Sequence, residues 1–236
     1  MSEMRRRAYL GALGIDVWKK RGAAAAAVGD VTAVDVAAVD VATKDATTVK
    51  PDWEQLRKKV AACTLCALHK SRTQTVFGVG SETARLMIIG EAPGAEEDRR
   101  GEPFVGRAGK LLDEMLRSIG LDRSEVYIAN VLKCRPPDNR DPTAEEASHC
   151  RDHLDRQIEL LDPRVILAVG RVAAHHLLNT DAPLGQLRGK MHSLKDGRLP
   201  LLVTYHPAYL LRSPSQKRKA WEDLCRVKAL LSERSQ

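Results

Sequence analysis

The chain has 236 residues, 43% of them hydrophobic, which suffices for one sizeable domain with a core or for a domain and a tail. Its 38 Lys and Arg against 31 Asp and Glu give a net charge of +7, which fits either a polyanionic partner or a solvated basic surface. No stretch matches a membrane span, and five cysteines without a secretory leader indicate a reducing compartment. We therefore expect a soluble, cytoplasmic protein.

Two regions precede the predicted folded domain. Residues 1–22 form a basic segment with helical character, which is expected either to dock on the core or on another protein, or to be a disordered tail. Residues 23–50 are almost only Ala, Val, Asp and Thr, so they cannot bury much surface, and we predict a flexible linker. The folded domain is therefore assigned to residues 51–236.

Helices and strands alternate along that domain. Helical spacing of apolar residues predicts helices at 53–62, 110–119, 143–161, 171–178 and 217–231. Short apolar runs predict strands at 85–90, 126–131, 165–170 and 199–204. This alternation predicts an α/β fold with a parallel sheet covered on both faces. Ligands of such sheets bind beyond the carboxyl ends of the strands, where this chain has Glu91, Asn130, Gly170 and His206.

Four cysteines form a candidate metal centre. Cys63 and Cys66 are spaced C-x2-C, and Cys134 and Cys150 are spaced C-x15-C. Four thiolates without a dedicated histidine suit an iron–sulfur cluster as well as they suit zinc. The alternative is that some are ordinary buried cysteines, which is how we interpret Cys225 in its late helical pattern.

Several residues near the strand ends could bind a planar ligand. The turn Gly90-Glu91-Ala92-Pro93-Gly94 would let the backbone approach a ligand, although it could also be a plain tight turn. Phe104 lies in a Gly/Pro-rich loop and is either a packing plug or a stacking platform for a base. Asn130 could pair with the edge of a heterocycle or satisfy backbone groups. His206 could stabilise developing negative charge.

Taken together, four segments carry a specific resemblance. GEAPGAEED, GEPFVGRAG, IANVLKCRPPDNRDPT and YHPAYLLR, with the cysteine spacing, resemble the family four uracil-DNA glycosylases over about residues 53–231. The resemblance implies a three-layer α/β/α sandwich around a four-stranded, mostly parallel sheet, here with a disordered N-terminal extension. It also implies a monomer that cleaves uracil from single- or double-stranded DNA, with a structural [4Fe–4S] cluster and no nucleotide cofactor.

The resemblance also implies roles for individual residues. The cluster ligands would be Cys63, Cys66, Cys134 and Cys150, and the uracil-contacting loop would be Gly90, Glu91 and Ala92. Phe104 would stack on the flipped base, Asn130 would read its edge, and His206 would lie near uracil O2. Other branches of the superfamily have an Asp where this chain has Ala92 and a Tyr where it has Gly94. We therefore expect Glu91 to position the attacking water, and Glu97 is the candidate for thymine exclusion.

Basic residues near this face are the expected contacts to the DNA backbone: Arg107, Lys133, Arg135, Arg140 and Arg212. Leu210 or Leu211 could wedge into the gap left by a flipped base or belong to the core. Two rival functions remain open at this point. One is a non-catalytic cluster-bearing module that binds DNA or assists a polymerase, and the other is a zinc-stabilised nucleotide hydrolase.

Overall fold

The computed structural model describes residues 51–194 and 197–233, so the predicted basic segment and linker at residues 1–50 lie outside the described residues. The helices are α1 (Pro51–Ala61), α2 (Ala95–Arg100), α3 (Arg107–Ser118), α4 (Ala144–Leu161), α5 (Arg171–Leu178), α6 (Leu184–Leu187), α7 (Pro207–Arg212) and α8 (Lys217–Glu233). The strands are β1 (Val79–Gly80), β2 (Leu86–Gly90), β3 (Tyr127–Asn130), β4 (Val165–Val169), β5 (Met191–Leu194) and β6 (Leu199–Thr204).

The strands form one mixed sheet in the order β1-β3-β2-β4-β6-β5. β3, β2, β4 and β6 are parallel, whereas β1 and β5 pair antiparallel at the two edges. The prediction of a four-stranded sheet is therefore corrected to six strands. The edge strands escaped prediction because β1 has two residues and β5 alternates exposed and half-buried positions, so neither contains a buried apolar run.

Helices cover both faces of the sheet because successive strand residues point to opposite sides. In β2, Met87 and Ile89 join one core, with α1, α4 and α5, whereas Leu86 and Ile88 join the other, with α3, α7 and α8. The residues of β2, β3 and β4 are all buried, as expected for strands covered on both faces. Within the described part of the chain, no helix is long and apolar enough to cross a membrane.

The parallel register aligns the carboxyl ends of neighbouring strands. Gly90 of β2 pairs with Asn130 of β3, so the residues that follow these strands start at the same edge of the sheet. β4 ends beside β6, where Val169 pairs with Thr204. The edge formed in this way is where the predicted site residues meet.

Candidate active site

A cleft of about 550 Å³ opens at the carboxyl edge of the sheet. It brings together residues from five separate parts of the chain, including most of those predicted from the sequence. Its lining includes Glu91, Ala92, Glu97, Phe104, Asn130, Arg140, Asp141, His206, Tyr209 and Arg212. The structure thus brings most of the predicted site residues together beyond the strand ends, and the role of each residue stays a prediction.

Gly90 allows the wall of this cleft to pack closely. A Cβ atom added at Gly90 would lie 2.4 Å from Asn130 Oδ1 and 2.7 Å from the Phe104 ring, closer than real Cβ contacts allow. Asn130 is 2% exposed, and its Oδ1 has no hydrogen-bond partner among the described residues. An unpaired buried acceptor typically costs about 1–3 kcal/mol, so this oxygen is suited to a donor that a ligand brings.

Phe104 is held in a strained backbone conformation. Its φ of 54° lies in the left-handed region, which bulky residues rarely adopt. Arg123 stabilises this conformation, since its guanidinium donates to the carbonyl oxygens of Phe104 and Pro103 and pairs with Asp113 at 3.2 Å. The Phe104 backbone also needs Gly109, where an added Cβ would lie 1.7 Å from Phe104 O.

His206 completes the aromatic part of the cleft. Its ring stacks on Phe104 with centroids 5.6 Å apart and an interplanar angle of 30°. The backbone N–H of Ala208 donates to His206 Nδ1 at 3.1 Å, which leaves Nε2–H as the donor of the neutral ring. Burial lowers the pKa of His206 to about 4, and the nearby Arg212 adds to the shift, so the ring is neutral at physiological pH.

Glu91 is a half-buried carboxyl group with an unusual environment. Burial, and then the negative charge of Asp141, raise the pKa of Glu91 to about 7, while Arg171 opposes the shift. Arg171 is paired with Asp141 at 2.5 Å. Glu91 can therefore accept a proton near neutral pH, as a general base must.

Glu97 serves the local backbone. Its Oε1 accepts hydrogen bonds from the N–H groups of Val105 (3.0 Å) and Gly106 (3.2 Å), and its Oε2 accepts one from Gly94 (3.1 Å). The carboxylate therefore joins the start of α2 to the loop that carries Phe104. Any effect of Glu97 on thymine would act through the position of these two loops.

The four predicted ligand cysteines line a second cavity, next to Arg72, Lys133 and three histidines. Burial raises the pKa of Cys134, and it raises that of Cys150 to about 11. Arg72 Nη1 donates to Cys134 Sγ at 3.0 Å, which would stabilise a thiolate.

Four thiolates are the ligand set of some structural zinc sites and also of iron–sulfur clusters. In a cluster, the four thiols around this cavity would each bind a different iron.

Comparison with known proteins supports the resemblance found in the sequence. Residues 77–225 match the model of the Uracil DNA glycosylase superfamily. The type-4 uracil-DNA glycosylase of Archaeoglobus fulgidus is 44% identical over 180 residues, which are 74% of this chain and 90% of that protein. That of Thermotoga maritima is 42% identical over 75% of this chain and 94% of its own length, and that of Sulfurisphaera tokodaii is 39% identical over 75% and 84%. The chain belongs to the type-4 uracil-DNA glycosylase family.

Within this type-4 framework, the predicted DNA-contact residues differ in exposure. Arg107, Arg140 and Arg212 are exposed, although Arg140 is engaged by Glu146. Arg135 is half-buried and donates to Asn139 Oδ1.

Lys133 is a correction: it is 1% exposed, and its Nζ donates to Asn130 O (2.8 Å) and Gln157 Oε1 (2.6 Å), so it cannot reach a phosphate. The sequence placed it among other basic residues, but its side chain points into the core.

Two further sequence interpretations change. Leu210 is 1% exposed and belongs to the core, so of the two wedge candidates only Leu211, which is 37% exposed, lies at the surface. Cys225 is exposed on α8 rather than buried, since the polar face of that helix carries it.

Sequence reasoning missed Asp141 and Arg171, the pair beside Glu91. Two signals for them were present in the sequence. Asp141 lies in the NRDPT part of a segment that carried the resemblance, and Arg171 follows the end of β4. Their proximity to Glu91 depends on tertiary structure.

Proposed function

We propose that the cleft binds a uracil flipped out of DNA and that the protein hydrolyses its N-glycosidic bond, leaving an abasic site. A base in a duplex must leave the stack before a side chain can reach its glycosidic bond, at a cost of a few kcal/mol. Stacking on Phe104, which lines the cleft, offsets part of that cost.

The observation that carries this proposal is the unpaired, buried Oδ1 of Asn130. Uracil offers an N3–H donor and an O4 acceptor on its edge, which complement the oxygen and the N–H of one amide. Cytosine offers a lone pair and an amino group there, which would oppose this orientation of the amide. Each unpaired buried group costs about 1–3 kcal/mol, so a fixed amide discriminates between the two bases.

His206 stabilises the departing base. As the bond between C1′ and N1 breaks, the electron pair moves to uracil, and negative charge develops at O2 and O4. A neutral Nε2–H donor at O2 stabilises this anion, and loss of such a donor typically costs about 10²–10³-fold in rate. The low pKa of His206 keeps it a neutral donor rather than an acid that protonates the base.

Glu91 orients the water that attacks C1′. The water oxygen forms the new bond to the sugar, and its proton passes to the Glu91 carboxylate. The pKa of Glu91 near 7 matches this task, because proton transfer is most effective when the pKa of the base is near the working pH.

We further propose that Cys63, Cys66, Cys134 and Cys150 hold a [4Fe–4S] cluster. Bound there, it would join the segment after α1 to the β3–α4 connection and to α4. It supplies structure rather than chemistry, because hydrolysis transfers no electrons. Arg72 would compensate the negative charge of the thiolates.

The remaining proposals concern the setting of the reaction. We propose that the protein acts in the cytoplasm as a monomer on single- or double-stranded DNA, and that residues 1–22 contact another protein. Of the predicted DNA contacts, Arg107 and Arg212 are exposed and available to DNA phosphates.

A single-turnover assay tests the proposed activity. The protein is incubated with an oligonucleotide containing one uracil, and abasic sites are revealed by alkaline cleavage. A thymine-containing oligonucleotide and the Glu91→Gln variant serve as controls. Cleavage at uracil alone, strongly reduced in the variant, is expected. Binding of the oligonucleotide without abasic sites would favour the non-catalytic DNA-binding alternative.

A further inference from the structure

His153 is a buried histidine with no role in the proposed reaction. It lies on α4 three residues after Cys150, about one helical turn further on. Its side chain lines the same cavity as the four cysteines, and it is 2% exposed. Neither Nδ1 nor Nε2 has a hydrogen-bond partner within residues 51–194 and 197–233.

Such a side chain needs a partner. An imidazole carries at least one N–H whatever its charge, and a buried N–H without an acceptor destabilises a protein. Buried polar groups in folded proteins nearly always have partners, so an orphaned pair of ring nitrogens indicates a missing one. The side chain is 98% shielded from solvent and lines the cysteine cavity, so an occupant of that cavity can supply the partner.

The other polar side chains around this cavity are largely engaged elsewhere. Lys133 donates to Asn130 O and Gln157 Oε1. His69 Nδ1 is 2.7 Å from Cys66 O, and Arg72 donates to Cys134 Sγ. His149 Nδ1 is also buried and has no partner among the described residues, but His149 as a residue is half-buried. Among the described side chains around this cavity, His153 is the one with two buried ring nitrogens that both lack a partner.

We infer that His153 donates a hydrogen bond to a sulfur atom of the cluster, either a sulfide or a cysteine thiolate. This inference rests on the proposed cluster. Sulfur atoms of iron–sulfur clusters carry negative charge and accept N–H donors, and such bonds tune the reduction potential. His153 is thus a positioning residue that holds the cluster and raises its reduction potential, because the reduced cluster carries more negative charge.

Two substitutions test this role. His153→Phe keeps an aromatic ring but removes both nitrogens, whereas His153→Gln keeps an N–H donor. His176→Phe is the matched control, since His176 is a half-buried histidine on α5 that lines separate pockets. The readouts are the midpoint potential of the cluster, followed by electron paramagnetic resonance, and the rate of cluster loss in air with a chelator present.

We expect His153→Phe to have a more negative midpoint potential and to lose its cluster about tenfold faster than the unmodified protein. His153→Gln should show smaller changes in both the potential and the loss rate. His176→Phe should leave the potential and the loss rate unchanged. A folded, fully loaded His153→Phe protein with unchanged potential and unchanged loss rate would overturn the inference.

One measurement does not depend on any variant folding. Pulsed electron paramagnetic resonance of the reduced, unmodified protein, labelled with 15N in its histidines, should detect a histidine nitrogen coupled to the cluster. Absence of that coupling overturns the role of His153 while iron and sulfide content still supports the cluster. Purified protein without iron and sulfide would instead overturn the cluster proposal, and this inference with it.

Discussion

At the scale of single residues, the cleft depends on a few side chains whose freedom has been removed. Asn130 is buried, and its amide oxygen lies so close to Gly90 that a Cβ atom there would have no room. Phe104 is fixed in turn by Arg123. Such fixed groups recognise a ligand edge without paying an ordering cost at the moment of binding.

The role proposed for Asn130 predicts a change in base choice. Asn130→Asp should slow uracil excision at least a hundredfold, because an ionised carboxylate offers no donor to O4 and opposes the leaving anion. Trace cytosine excision is expected, since the carboxylate can accept from the cytosine amino group. Single-turnover rates on uracil, cytosine and thymine substrates measure both effects.

His206→Ala is the contrasting variant. It should slow uracil excision without changing which base is chosen, because O2 is common to uracil and cytosine. If Asn130→Asp excised uracil at the rate of the unmodified protein, Asn130 would have a structural role and would not read the base edge.

The environment of Glu91 predicts how the rate depends on pH. If ionised Glu91 orients the water, the single-turnover rate should rise as pH increases through about 7, the raised pKa of this group. The negative charge of Asp141 contributes to that raised value. Asp141→Asn should therefore move the midpoint to lower pH, with the maximal rate preserved.

Titration of His206 should not change the rate in the same pH range. The pKa of His206 lies near 4, so its neutral form persists throughout. If the rates of the unmodified protein and of Asp141→Asn were both independent of pH between 5 and 8, Glu91 would not be the residue that orients the water.

At the scale of elements, the loops above the sheet are fixed by side chains at the starts of helices. Glu97, in the first turn of α2, accepts hydrogen bonds from three backbone N–H groups in two loops. Asp98, the next residue, is 4% exposed and accepts from the backbone of Thr73, close to the segment that carries Cys63 and Cys66. One short helix thus links the cleft to Thr73, the residue after Arg72, which lines the cysteine cavity.

This linkage predicts a selectivity effect for Glu97→Gln. The amide nitrogen of Gln would face a backbone N–H, so we expect unfolding free energy to fall by about 1–3 kcal/mol. The Phe104 loop should loosen, and the ratio of uracil to thymine excision should fall. Glu96→Gln is the matched control. The carboxylate of Glu96, next to Glu97 in sequence, is exposed and pairs only with Arg99 among the described residues. An unchanged ratio in Glu97→Gln would contradict a part in thymine exclusion.

Elements with a strong local pattern were predictable from the sequence. The predicted spans of the central strands and of the longer helices lie within about three residues of those observed, because buried strands and amphipathic helices have distinct periods. The edge strands were not predictable, since pairing with β3 and β6 defines them. α7 has six residues, which is too short to show a clear helical period. Lys133 shows the same limit for the site, because its burial depends on acceptors at Asn130 and Gln157.

At the scale of the whole molecule, the proposed site needs only the part of the chain from α1 onwards. Every residue that lines the cleft lies between Glu91 and Arg212. Deletion of residues 1–50 should therefore leave single-turnover excision on short oligonucleotides within about twofold of the full chain, since the linker composition cannot build a packed site. A large loss of turnover would move the boundary assigned to the catalytic domain.

The cysteine cavity joins parts of the chain that are far apart in sequence, so its occupant should stabilise the whole domain. Cys63 and Cys66 follow α1, Cys134 follows β3, and Cys150 lies within α4. Because ligation of a metal centre contributes to the free energy of folding, Cys134→Ala should lose the cluster and most of the soluble protein. Iron content, visible absorbance and soluble yield measure these losses.

Cys225→Ala is the matched control for Cys134→Ala, since it removes an exposed thiol on α8 that lies outside the cysteine cavity. We expect it to keep iron content, thermal stability and uracil excision. The comparison separates ligation from a general effect of losing a thiol, because both variants change the same chemical group. If Cys134→Ala matched Cys225→Ala in all three measurements, Cys134 would not be a ligand, and the cavity would be an ordinary part of the core.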